Sequence, residues 1–277
     1  MERPGVAHFV QRDHLVRGLF VREAAPSIPT SIQTPILMVH GASHGWWAWE
    51  RWLSFFALSG WRSYAMSLRN HLGSYSIPDK AYVRLTLDSY LQDVLDILVW
   101  LDQPAVLVGH SMGGIIAQKA AERDPVRALV LVASVGPGQL GPIREPLPTE
   151  HPFMPTPQEA RRLWFHRVDD GTFEDIYRKL VPESPSVMND YSSGRIPVHR
   201  QKISCPILAV GVEHDRTVIH PFRRIADFYG CDSLFVPGAG HDLMLESMAL
   251  DVAIRINHWL LSAMPDEGLP IMKHPGF

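Results

Sequence analysis

Two cysteines in 277 residues are too few for a disulfide framework. Cys205 and Cys231 each open an apolar run, "CPILAVG" and "CDSLFVPG", so we expect two separate, half-buried thiols and a reducing compartment. Charge of one sign is equally scarce. Lys and Arg total 26 against 29 Asp and Glu, a net charge of −3, which offers no basic surface to nucleic acid. No stretch reaches the roughly 18 consecutive apolar residues of a membrane span. The first thirty residues also lack the apolar core of about 7–15 residues that a secretory leader carries. The expectation is a cytoplasmic protein without membrane insertion, acting on a small molecule as a monomer or homodimer. What the chain has is 46% hydrophobic residues, enough for a large core.

Those apolar residues alternate between two periods. "VAHFV" and "LVRGLFV" flank "QRDH", which reads as an antiparallel hairpin turning at 11–14. Apolar runs follow at 35–41, 104–109, 128–134, 206–211 and 233–238, the pattern of strands buried on both faces, and 61–68 reads as a further strand. Helical segments separate them: 47–60, 86–102, 112–123, 221–229 and about 244–263. The segment 86–102 places apolar residues at 87, 91, 94, 95, 98 and 101, one face of a helix. This predicts an α/β fold, a mostly parallel eight-stranded sheet with helices on both faces. The rhythm breaks at 135–204, where seven prolines between 137 and 157 precede a stretch of helical spacing. Because the alternation resumes afterwards, we expect one α/β core of 1–134 and 205–264, a small helical lid inserted at 135–204 after strand 6, and a tail at 265–277.

The segment "LVGHSMGGIIAQ" sets Ser111 between Gly109 and Gly113, where a buried strand meets a helix. A serine in a glycine-rich turn can simply cap a helix. Gly-x-Ser-x-Gly in this context also describes a nucleophile elbow, in which the glycines let strand and helix backbones cross. A serine nucleophile needs a base held by a carboxylate. In chain order the acid and then the base should follow at later strand ends. His241, in "GAGHDLMLE", fits the base. Asp215, Glu213 and Asp242 compete for the acid, with Asp232 further off. Asp215, in the loop "VEHDRTV", is favoured, because Asp242 adjoins His241 and would point away from its ring. No carboxylate follows the strand that ends at Ser134. The oxyanion of acyl transfer needs two amides. Met112, at the helix start, and Ala42, after Gly41, are the candidates, with Ser43 as runner-up.

Taken together, "VHGASHGWWAW", "GHSMGG", "EHD" and "GAGHDLMLE" resemble the α/β-hydrolase superfamily over residues 6 to 262. Within it, His40, Gly41, Ala42, His44, Gly45, Trp47 and Trp49 are similar to the opening of the esterase and hydroxynitrile-lyase group. The later motifs look like bacterial carboxylesterases and lysophospholipase-like members. The resemblance implies a Ser111–His241–Asp215 triad, an oxyanion hole at Ala42 and Met112, no cofactor and no metal. It also implies departures. The plant cyanohydrin lyases carry threonine where Gly41 stands and lysine where Asp242 stands, so cyanide release is unsupported. A serine nucleophile, in place of aspartate, disfavours dehalogenase and epoxide hydrolase chemistry. In "SLRNHLGS", Arg69, His71 and Gly73 match a turn common in the superfamily, which we read as structural.

The expected activity is hydrolysis of carboxylic esters of small to medium apolar substrates through an acyl-enzyme. Acyl transfer or thioester cleavage uses the same residues. A ligand receptor on a hydrolase scaffold, cofactorless oxygen chemistry or perhydrolysis, and hydroxynitrile lysis rank lower. For the substrate pocket we expect Trp164, Phe165, Phe153, Met154, Met188 and Tyr191 above Ser111. Ser43, His44, Trp47 and Met244 would lie around its base.

Overall fold

The sheet opens on a turn of two residues, Arg17 and Gly18, with φ of 51° and 84°. Positive φ at both positions matches the twist of the flanking strands. The computed structural model describes residues 8–217 and 220–267. Val6 and Ala7 of the expected first strand, and 268–277 of the expected tail, lie outside these residues. Strands β1 (Phe9–Val16) and β2 (Leu19–Pro26) form the hairpin. Its turn therefore lies beyond "QRDH", which sits inside β1. As the edge strand, β1 is solvent-facing along most of its length, so its polar residues imitate a loop. Asp13 stands opposite Arg22 and pairs with it.

The order across the eight strands is β1-β2-β4-β3-β5-β6-β7-β8. Here β3 is Ile36–Val39, β4 Ser63–Met66, β5 Val106–His110, β6 Ala128–Val132, β7 Ile207–His214 and β8 Asp232–Gly240. Pairing is antiparallel from β1 through β4 and parallel from β4 to β8. Every residue of β3 to β6 is buried, the polar Ser63 and His110 included.

Alternate strand residues feed two cores. Ile36, Met38, Val106 and Val108 face Trp49, Trp52 and Phe56 of the segment entering α1 (Glu50–Leu58). Leu37, Val39, Leu107 and Leu129 face the opposite layer. That layer holds Tyr82 of α2 (Asp79–Tyr82), Tyr90 and Leu91 of α3 (Leu87–Leu101), and Ile115 and Ile116 of α4 (Met112–Ala121).

Between β6 and β7 the chain forms α5 (Pro157–Trp164), α6 (Asp170–Tyr177) and α7 (Pro185–Ser192). Each has a local start signal. Thr156 and Glu159 close a capping box, the Asp169 side chain accepts from the Thr172 amide, and Ser184 precedes a proline at the first helical position. Helix α8 (Phe222–Tyr229) joins β7 to β8, and α9 (Ala249–Ala263) packs beside α1. It begins five residues later than the apolar pattern suggests, because 241–248 turn back on themselves. Cys205 and Cys231 are unlinked, and burial pushes both thiols up to about 11. Among the described residues no helix is long and apolar enough to cross a membrane.

Candidate active site

Ser111 sits between β5 and α4 with φ 52° and ψ −117°. A non-glycine residue is strained there by about 1–3 kcal/mol, so its surroundings must impose the shape. They do so through three glycines. A Cβ on Gly109 would lie 2.4 Å from the Gly113 carbonyl oxygen, and one on Gly113 would lie 2.4 Å from that of Val39. A Cβ on Gly114 would lie 2.0 Å from Ser134 Oγ. The elbow is thus wedged between β3 and the end of β6. Ser111 donates its amide hydrogen to Val132 at 3.1 Å, and its carbonyl accepts from Gly114 and Val135.

His241 and Asp215 meet at the ends of β8 and β7. The ring Nδ1–H donates to Asp215 Oδ2 at 3.0 Å, leaving Nε2 as the basic atom. Asp215 Oδ1 accepts from the Thr217 amide at 2.9 Å. Burial works against the charged ring, but Asp215, helped by Asp242, holds the His241 pKa above its ordinary value. The competing carboxylates are employed elsewhere. Glu213 accepts from the Gly238 amide, Asp232 from the Trp259 indole, and Asp242 from His44.

Ser111 and His241 line one cavity of about 120 Å³, together with Ala42, His44, Phe153, Trp164, Met188 and Tyr191. Ser43, Trp47 and Met244, expected in the pocket, do not line it. The Ser43 amide donates to Glu183 at 3.0 Å, which also removes it as an oxyanion donor. Trp47 stacks on the far side of His44, with ring centroids 5.3 Å apart, and Met244 is fully buried in the core. Phe165 and Met154 likewise pack into or against the core. Gly41 is where space is tightest: a Cβ there would stand 2.7 Å from His110 Nδ1 and 3.1 Å from Ser111 Cβ. The Met112 amide is the first of α4, one of the donors that a helix leaves unpaired.

Two buried histidines frame this wall. His110 Nε2–H donates to the His241 carbonyl at 3.1 Å. Burial, and then the neighbouring His241, depress its pKa to about 3, so it stays neutral. His44 Nδ1–H donates to the Ala42 carbonyl at 2.8 Å, and Nε2–H to Asp242 Oδ2 at 3.0 Å. Burial opposes the Asp242 charge, and His44 overcomes it, holding the carboxyl below its ordinary value. His110, His241 and Asp242 also bring ligand atoms within 4.8 Å of one another.

Motif reading assigned no role to three further residues. Glu183, fully buried, accepts from the Ser43 and Ser184 amides, His71 Nε2–H, and the Tyr82 and Tyr90 hydroxyls. Glu246 accepts from the Gly240, His166 and Arg167 amides. Arg144 lines the cavity itself. Most partners of Glu183 and Glu246 are remote in sequence, and the His71–Glu183 bond links back to the turn read as structural.

A rice (Oryza sativa subsp. japonica) protein, Esterase PIR7B, is 33% identical over 115 residues, 40% of this chain and 42% of the rice protein. Methylesterase 9 of Arabidopsis thaliana is 30% identical over 140 residues, 49% of this chain and 52% of its own. The chain thus matches about half or less of the length of these curated relatives. The solved structure of the Arabidopsis methylesterase MES16 superposes with a TM-score of 0.67 at 18% identity, covering 82% of this chain and 99% of that one. The model of the alpha/beta hydrolase family matches residues 36–255, most of the sheet and all of the cavity's strand ends. The chain belongs to the alpha/beta hydrolase family.

Proposed function

We propose that the protein hydrolyses carboxylic esters through an acyl-enzyme on Ser111. The observation that carries this reading is the His241–Asp215 bond of 3.0 Å on the wall of a cavity that also exposes the strained Ser111. His241 Nε2 takes the Ser111 hydroxyl proton as Oγ attacks the ester carbonyl. Asp215 orients the ring and stabilises its protonated form. The Ala42 and Met112 amides hold the oxyanion, each worth roughly 3–4 kcal/mol in the transition state. The protonated ring releases its proton to the departing alcohol. Water then attacks the acyl-enzyme, with His241 again as base. The 135–204 segment, which supplies Phe153, Trp164, Met188 and Tyr191, serves as the lid. The named relatives are esterases, which supports the same reaction class. The proposal includes a cytoplasmic protein that is a monomer or a homodimer.

The test is hydrolysis of 4-nitrophenyl esters from about two to twelve acyl carbons, by the wild type and by Ser111→Ala. Serine-dependent turnover with an optimum at short chains is expected from so small a cavity. A folded wild type that turns over none of them overturns the reading.

A further inference from the structure

Arg144 is the one lysine or arginine lining the cavity among the described residues. It comes from the 135–204 segment, in the stretch after Ile143 is tied to α7 by the Ser192 carbonyl. Its Nε and Nη2 are shielded from solvent and find no partner among the described residues. Those two atoms form one edge of the guanidinium, with parallel N–H bonds that match the two oxygens of a carboxylate. The molecule shows that match elsewhere: Arg69 presents Nε to Asp93 Oδ2 at 3.0 Å and Nη2 to Oδ1 at 2.6 Å. The acids of the cavity wall do not take this role. Glu159 is bound to Thr156, and Asp242 to His44. An unpaired guanidinium edge out of water is costly, and native proteins rarely leave such donors unmet. Tyr191 supports the other face of the group, its ring centroid 5.9 Å from Arg144 Cζ.

We infer that Arg144 is a specificity residue, and that the substrate is an ester bearing a free carboxylate which docks on the Nε and Nη2 edge. The apolar wall of Phe153, Leu163 and Trp164 then holds the carbon chain between that carboxylate and the scissile carbonyl. The inference deepens the ester-hydrolase reading and rests on it for the reacting bond, but the carboxylate site can be tested apart from turnover.

The rate experiment compares the half-ester mono-4-nitrophenyl glutarate with its neutral counterpart, methyl 4-nitrophenyl glutarate. The readout is the ratio of kcat/KM within each protein, so losses common to both substrates cancel. Wild type should favour the free carboxylate by about tenfold or more, Arg144→Met should remove that preference, and Arg144→Lys should keep part of it. A wild type that prefers the neutral ester, or an unchanged ratio in Arg144→Met, overturns the inference and leaves the esterase reading standing. The binding experiment titrates monomethyl glutarate into Ser111→Ala by calorimetry, with and without Arg144→Met. Binding lost with the arginine supports the site even where no ester is turned over, a result that would defeat the esterase reading alone. Binding that survives Arg144→Met, or no binding to Ser111→Ala, overturns the carboxylate site.

Discussion

Glu183, in the segment between β6 and β7, accepts the amide hydrogen of Ser43 at 3.0 Å, one residue beyond Ala42 in the β3 loop. The reciprocal contact lies alongside, with the Val181 amide donating to the Ser43 carbonyl at 3.0 Å. Ser43 itself has φ 66°, so the loop that presents Ala42 is held in a strained shape from above. The buried carboxylate thus fixes both the segment and the amide proposed for the oxyanion.

Glu183→Gln should lower stability by about 3–5 kcal/mol, because it leaves the His71 imidazolium without its counter-charge. The pH profile should change as well. Burial disfavours the charged forms of both partners, but Glu183 raises the His71 pKa above its ordinary 6.5, and His71 lowers that of Glu183 to about 2. The histidine's contribution is full below 6.5 and fades as pH climbs through its raised value. The glutamate's is full above 4.5 and fades as pH falls towards about 2. Urea unfolding from pH 4 to 9 should show the wild-type excess over Glu183→Gln greatest between 4.5 and 6.5. A difference independent of pH would sink this account.

Asp215→Asn should reduce kcat/KM by about four orders of magnitude at neutral pH. The proposed mechanism needs His241 neutral, so the rate should rise as pH passes the ring's pKa, which Asp215 holds above 6.5. Without that charge the rising limb of log kcat/KM against pH should move to lower pH. A limb that stays in place means that Asp215 does not set the ring's titration.

Gly114→Ala should cost about 1–3 kcal/mol, since the new methyl would overlap Ser134 Oγ at 2.0 Å and Cβ at 2.6 Å. Adding Ser134→Gly removes both atoms. The double variant should recover most of the lost midpoint in denaturant, and failure to recover would place the strain elsewhere in the elbow.

Glu246→Ala should free the His166 and Arg167 amides, which the carboxylate now holds at 2.6 and 3.2 Å. Hydrogen exchange should accelerate there by at least about tenfold while α4 amides stay protected. Equal acceleration in α4 would indicate global destabilisation rather than release of this segment.

The sheet was legible because a strand covered on both faces must be apolar throughout, as in "PILMVHG" and "AVLVGH". The same rule misplaced the first turn, since β1 lies at an edge, where Gln11, Arg12 and Asp13 can face water. The start of α9 was misjudged because Leu243 and Met244 are buried in a turn with the same apolar character as a helix face. At the site, Ser111, Asp215 and His241 stood out because they occupy strand ends beside glycines or short loops, a local signature. Glu183 had none: it meets Ser43, His71 and Tyr90 from 140, 112 and 93 residues away. Arg144 was hidden likewise, being one basic residue in a proline-rich run whose path over the cavity no local pattern encodes.

The three glycines of the elbow make it a gauge of strand spacing. Gly113 rests against the β3 carbonyls, Gly109 against the helix that starts at Met112, and Gly114 against Ser134 beyond β6, so none of these neighbours can drift without moving Ser111. A core substitution far from the cavity, one that spreads β3 from β5 by a few tenths of an ångström, would be felt first as a misaimed hydroxyl. Turnover in this protein should therefore register changes in packing that leave its melting temperature almost untouched.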